Sequence, residues 1–274
     1  MEELPWRIWV TRPPLSSQSL CDGLSRVGFS SCTLPLLEIV PVSDSQRTRD
    51  IQTQILDVDH FDAVFFVSIN AVHEAMAWLD RFWPQLPVGI RYYAVGASTA
   101  KVLETYGIDV QERDLIDQGP MTSEALLAAA SLQNLEHQRF LIFRGVGGRD
   151  HMAQTLRERG AHVQICELYE RQMPTSAQAQ WQNVLDDSQE WNKHYNVIAL
   201  HSGESLHYWH WLVHNLTLTE TTRHALIHTC LILPSVRLRD EAAQKGFTQI
   251  ITATNATDEA IVNALITAKQ KRDC

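Results

Sequence analysis

Apolar residues fall along this chain in short runs that alternate with stretches of helical spacing. Some runs, such as 63–67 and 197–200, are apolar at every position, as in a strand buried on both faces. The pattern predicts strands at 8–11, 34–40, 63–68, 91–95, 139–144, 163–169, 196–202, 230–234 and 249–254. It predicts helices that include 17–27, 70–82, 98–106, 123–130, 150–159, 204–213, 237–245 and 258–268. Gly28, Gly107, Gly160 and Gly246 stand where a left-handed residue ends a helix. Strand–helix alternation of this kind predicts an α/β fold of parallel sheets covered on both faces. Ligands of such sheets bind beyond the carboxyl ends of the strands. Thr11, Ser68, Gly96, Arg144, Ser202 and Ser235 fall at those ends. Each precedes a helix N-terminus, whose first N–H groups lack partners in the helix.

The pattern also occurs twice. Gly28 lies sixteen residues past Arg12, and Gly160 sixteen past Arg144, with Leu20 and Leu24 matched by Met152 and Leu156. Ser68 and Ser202 each close an apolar run, and Val72 and Leu206 follow four residues later. Gly96 precedes Gly107 by eleven, as Ser235 precedes Gly246, and T-S-E-A-L at 122–126 echoes T-D-E-A-I at 257–261. Two similar domains follow, and with them a cleft between the two. Their boundaries stay open at this level. A tandem pair would be cut near residue 132. An exchanged pair would place the first strand–helix–strand unit with the last hundred residues, the chain crossing near 38–42 and 170–174.

Composition narrows the class. A chain of 274 residues with 45% hydrophobic and 20% charged residues has the balance of a globular protein with room for two domains. A formal net charge of −9 argues against a nucleic-acid surface, which wants a basic stripe. The basic run 269–272 suits the end of a helix. No apolar run reaches membrane-spanning length. The acidic start Met1-Glu2-Glu3 lacks the core of a secretory leader, and five scattered cysteines form no C-x-x-C pair. These features predict a cytoplasmic protein. His207, His210 and His214 share a helical face, but no carboxylate or Cys stands at helical spacing to complete a metal site. The glycines at 145–148 follow a strand without completing a phosphate-loop motif. G-x-S-x-G is absent.

Taken in order, V-T-R-P at 10–13, F-V-S-x-N-A-V at 66–72, A-V-G-A-S-T-A at 94–100, T-S-E-A-L at 122–126, F-R-G-x-G-G-R at 143–149 and E-L-Y-x-R at 167–171 form a specific series. The series resembles the uroporphyrinogen-III synthase family, over nearly the full chain. The resemblance implies two flavodoxin-like parallel-sheet domains: 1–37 with 175–274, and 42–169. Two linker strands, 38–41 and 170–174, would join them across a cleft. It implies a lyase that takes the linear tetrapyrrole hydroxymethylbilane, removes its terminal hydroxyl, inverts the last ring through a spiro intermediate and closes the macrocycle. It implies no metal and no organic cofactor, a monomer, and transient contact with the preceding enzyme, hydroxymethylbilane synthase.

By the same resemblance, Tyr169 would hydrogen-bond or protonate the departing hydroxyl; its repeat partner is Leu37. The acetates and propionates of the substrate would meet the neutral donors Thr11, Ser68, Asn70, Thr99, Thr122, Ser123, Ser202 and Ser235. Gly96, Ser98, Gly145 and Val236 lie at the same turns, and Arg12, Arg144 and Arg149 would supply charge. Each Ser or Thr has an alternative use as a helix N-cap. For Arg12 and Arg144 the alternative is a structural salt bridge. The chain departs from the family at 235–239, where Leu238 stands in place of a threonine, and around Ser202, flanked by His201 and Gly203-Glu204. A second class, a non-catalytic two-domain binding protein or a paralogue without turnover, would share the repeat.

Overall fold

The computed structural model describes residues 4–112 and 123–272. Contacts divide the chain into two units, Met1–Glu38 with Gln172–Cys274, and Ile39–Arg171. The chain begins with β1 (Trp6–Val10), α1 (Pro14–Arg26), β2 (Ser30–Thr33) and β3 (Glu38–Pro41). It continues through α2 (Ser45–Leu56), β4 (Ala63–Phe66), α3 (Ile69–Phe82), β5 (Arg91–Ala94), α4 (Ala97–Thr105) and α5 (Ser123–Leu127). Next come β6 (Arg139–Gly145), α6 (His151–Glu158), β7 (His162–Gln172), α7 (Ala177–Asp186) and α8 (Ser188–Asn192). The last elements are β8 (Tyr195–Ala199), α9 (Gly203–Asn215), α10 (Glu220–Ile227), β9 (Cys230–Leu233), α11 (Val236–Gln244), β10 (Ile250–Thr252) and α12 (Asp258–Arg272).

The first unit holds a sheet of order β10-β9-β8-β1-β2. Numbered within the unit, that is the 2-1-3-4-5 order of the flavodoxin-like doubly wound fold. The second sheet runs β3-β7-β6-β4-β5. Started from β6, it follows the same order, with a parallel bridge from Tyr92 to Val110 at the place of the fifth strand. The registers coincide as well. Val10 faces Ala199 and Thr33 in the first sheet, and Ile142 faces Phe65 and Ile165 in the second. Those residues hold matching places in the sequence repeat, so the repeat is one fold written twice with its ladder preserved.

Apolar runs form the central strands because both of their faces are covered. In the first unit, Ile8, Val10, Val197, Ala199 and Ile232 join the core formed with α1 and α12. Trp9, Ile198, Leu200, Leu231 and Leu233 alternate to the opposite core, with Trp181 of α7 and Trp209 of α9. The second unit packs Phe65, Phe66, Phe140 and Phe143 into its own core.

The strand expected at 34–40 is corrected: Leu34 to Leu37 lie outside any strand, between β2 and β3. Strand β2 is Ser-Ser-Cys-Thr at the sheet edge, half exposed, and so carries no apolar run to mark it. Among the described residues no helix is long and apolar enough to cross a membrane.

Candidate active site

In the second unit, the carboxyl ends of β4, β6 and β7 converge on a phenol. Ser68 follows β4 in extended conformation and caps α3, its Oγ accepting the Ala71 N–H at 3.1 Å. The same Oγ lies 2.9 Å from the Tyr169 hydroxyl. Tyr169 itself is buried, with 2% of its surface accessible. It reaches this place through a register shift: Arg144 pairs with Glu167, but Gly145 pairs with Tyr169, leaving Leu168 as an inserted residue. Such a bulge re-aims the side chains that follow it. The ring then lies on Gly145, where an added Cβ would stand 2.5 Å from the ring Cε2 and 2.8 Å from Cζ. Gly145 is therefore required for close approach.

Beside the phenol is a cavity of about 310 Å³, lined by Ser68, Ser123, Gly147, Gly148, Arg149, Tyr169 and Arg171. His151, Met152 and Ala153, the first residues of α6, complete one wall. The opening N–H groups of a helix have no partners within it, and their partial positive charge favours an anion.

The three arginines at this wall divide their work. Arg144 is held by Glu167 at 3.0 Å, by Asp150 at 2.7 Å and by the Arg149 carbonyl at 3.3 Å. Its charge is committed to the end of the β6–β7 pair and the turn into α6. Arg149 is exposed, and its guanidinium pairs with no carboxylate among the described residues. Arg171 stands 5.9 Å from the centre of the Tyr169 ring. Residue type alone does not single it out in the sequence, although it lies two past Tyr169 in the same strand, a spacing that returns to the same face.

The first unit uses the matching positions differently. The Thr11 hydroxyl donates to the Ala199 carbonyl at 2.6 Å. Arg12 pairs with Asp258 and donates to the Ala256 carbonyl. Ser202 caps α9 in a reciprocal pair with Ser205, and Ser235 caps α11 through the Leu238 N–H. Leu238 is buried, as is Thr99 at the matching place in the second unit. Val236 is exposed. Gly96 takes φ +94° ahead of α4, Ser98 is exposed, and Asn70 lies half-exposed on the first turn of α3. Thr122 lies outside the described residues. Of the residues expected at the site, the 310 Å³ cavity gathers Ser68, Ser123, Arg144, Gly145, Arg149 and Tyr169.

His201 precedes the Ser202 cap. Parts of the residue remain accessible, yet both ring nitrogens are buried and meet no partner within hydrogen-bond geometry. Burial, reinforced by the Arg12 charge, pushes the imidazole down from 6.5 to about 3. Below the ordinary value the unfolded chain takes up a proton that the folded chain refuses, so stability drops as the pH is lowered and the loss saturates near the folded value. Between pH 6.5 and 5 the wild type should lose about 1–2 kcal/mol more than His201→Gln, from the unit equivalence of pKa and free energy. Urea midpoints taken across that range provide the measurement, and parallel losses would show that the imidazole is not held neutral.

Two doubly wound units, one of them with a buried phenol beside a cavity lined by three arginines, define a two-unit α/β protein. The model of the family Uroporphyrinogen-III synthase HemD matches residues 18–263. The uroporphyrinogen-III synthase of Salmonella typhimurium is 32% identical over 94% of this chain and 99% of its own length. That of Escherichia coli is also 32% identical, over 94% and 99%. The crystal structure of uroporphyrinogen-III synthetase from Helicobacter pylori shares the fold, with a TM-score of 0.58 at 17% identity, covering 97% of this chain and all of that one. The chain belongs to the uroporphyrinogen-III synthase family.

Proposed function

We propose that this chain cyclises hydroxymethylbilane to uroporphyrinogen III with loss of water. The observation that carries the mechanism is the series Ala71 N–H, Ser68 Oγ, Tyr169 OH. Ser68 already accepts from the start of α3, and its own proton is free to turn toward the phenol oxygen. The phenolic proton then points at the substrate. As the C–O bond breaks, Tyr169 gives that proton to the hydroxyl, which leaves as water. The ring carbon that finally closes the macrocycle sheds its hydrogen as a proton, which restores the phenol. The Arg149 guanidinium and the first N–H groups of α6 take acetate or propionate carboxylates. That grip holds the chain curled for the inverted closure. The scheme uses side chains and backbone alone, with no metal or organic cofactor.

A linear substrate that cyclises spontaneously to the wrong isomer favours direct receipt from its producer. The same reading therefore takes the protein as a cytoplasmic monomer that meets hydroxymethylbilane synthase transiently. The test generates hydroxymethylbilane in situ and separates isomers I and III by chromatography. Isomer III is expected. Isomer I alone, at the spontaneous rate, would overturn the synthase and favour a binding protein without turnover.

A further inference from the structure

Two pairs of histidines stand one helical turn apart in the first unit. His210 and His214 lie on α9, and His224 and His228 lie at the end of α10. The second pair has the geometry of a chelate. His228 closes the last turn, its N–H bonded to the His224 carbonyl at 3.2 Å, so both rings rise from one face. Their Nε2 atoms are 3.2 Å apart. Across the ring, His228 Nδ1 lies 2.7 Å from the Thr248 hydroxyl, in the turn before β10. A neutral imidazole has one N–H. In the tautomer that donates Nδ1–H to Thr248, the Nε2 of His228 carries the lone pair on the side of His224.

We propose that His224 and His228 form a bidentate site for a borderline divalent cation of the Zn²⁺ class. Two imidazole nitrogens bound at about 2.1 Å and held at this spacing subtend about 100° at the metal, between the octahedral and tetrahedral angles. The helix C-terminus adds its own preference for a cation. Thr248 fixes the tautomer of His228, as outer hydrogen-bond partners of metal-bound histidines do. Without metal, the two rings share the Nε2–H of His224. On binding, that proton passes through water to the Nδ1 of the same ring, so the chelate forms with no net proton change. Among the described residues no third His, Cys, Asp or Glu completes a cluster, and water fills the remaining positions. The site shares no residue with the phenol cavity and does not depend on the reading of that cavity.

The test is calorimetric titration of the untagged full-length protein with ZnCl₂ at neutral pH. One site is expected. His224→Ala and His228→Ala should each weaken it at least tenfold, and Thr248→Val by about tenfold through loss of the outer partner. Circular dichroism checks that each variant keeps its fold. The double variant His210→Ala/His214→Ala should bind as the wild type does. Absence of binding in the wild type, or unchanged binding in both His224→Ala and His228→Ala, would overturn the site.

Discussion

Tyr169→Phe is expected to slow formation of isomer III by about 100-fold or more, within the range that positioned proton transfer supplies. The substitution keeps the ring on Gly145 and removes only the hydroxyl, 2.9 Å from Ser68. Stability should fall by about 1 kcal/mol, the net worth of one hydrogen bond. Because spontaneous closure continues, the product should shift toward isomer I. Assaying equal concentrations of folded enzyme, matched by circular dichroism, separates a chemical role from a packing role, since loss of packing alone would lower only the amount of active enzyme. An unimpaired variant would leave the phenol as a packing group and assign the catalysis to positioning.

Gly145→Ala should come close to the same loss of activity by a different route. The new methyl group would meet Cε2 and Cζ of a buried ring at 2.5 and 2.8 Å, and neither atom is the free end of a flexible chain. The ring must turn away or the β6–β7 pairing must open, and either movement separates the phenol from Ser68. Overpacking of this kind costs about 1–3 kcal/mol. In a Tyr169→Ala background the clash disappears, so most of the stability cost should disappear with it. Denaturant midpoints of the four proteins close the double-mutant cycle. An equal cost in both backgrounds would show that Gly145 serves the backbone and not the ring.

The fold is legible in the sequence where a pattern is local and strong. Strands β4, β8 and β9 are apolar at almost every position because each is covered on both faces. Strand β2 went unread because an edge strand needs no such run, and its Ser30, Ser31 and Thr33 look like a loop. The tandem and exchanged divisions of the repeat were indistinguishable, since both preserve every local spacing. Ser68 was legible as a cap by residue type and position. The structure gives it a second partner in Tyr169, one hundred and one residues away.

The two copies show how far the repeat reaches. Where the second unit has Gly145 under Tyr169, the first has Pro13 and Leu37, so the phenol on a glycine occurs in one unit although the strands around it align in both. Arg144 and Arg149 look alike in the sequence. They part only in the structure, where Glu167 and Asp150 hold the first.

The sequence by itself determined the alternation of strand and helix, the duplication, and the residue types at the carboxyl ends of the strands. These are properties of neighbours, set by the periodicity of burial and by the needs of helix ends. The tertiary structure alone decided which side chains meet: the phenol on its glycine, the arginine committed to carboxylates, the histidine whose ring nitrogens are buried without a partner. Those contacts join segments far apart in the chain, and their distances depend on strand register and a one-residue bulge, which no local pattern carries.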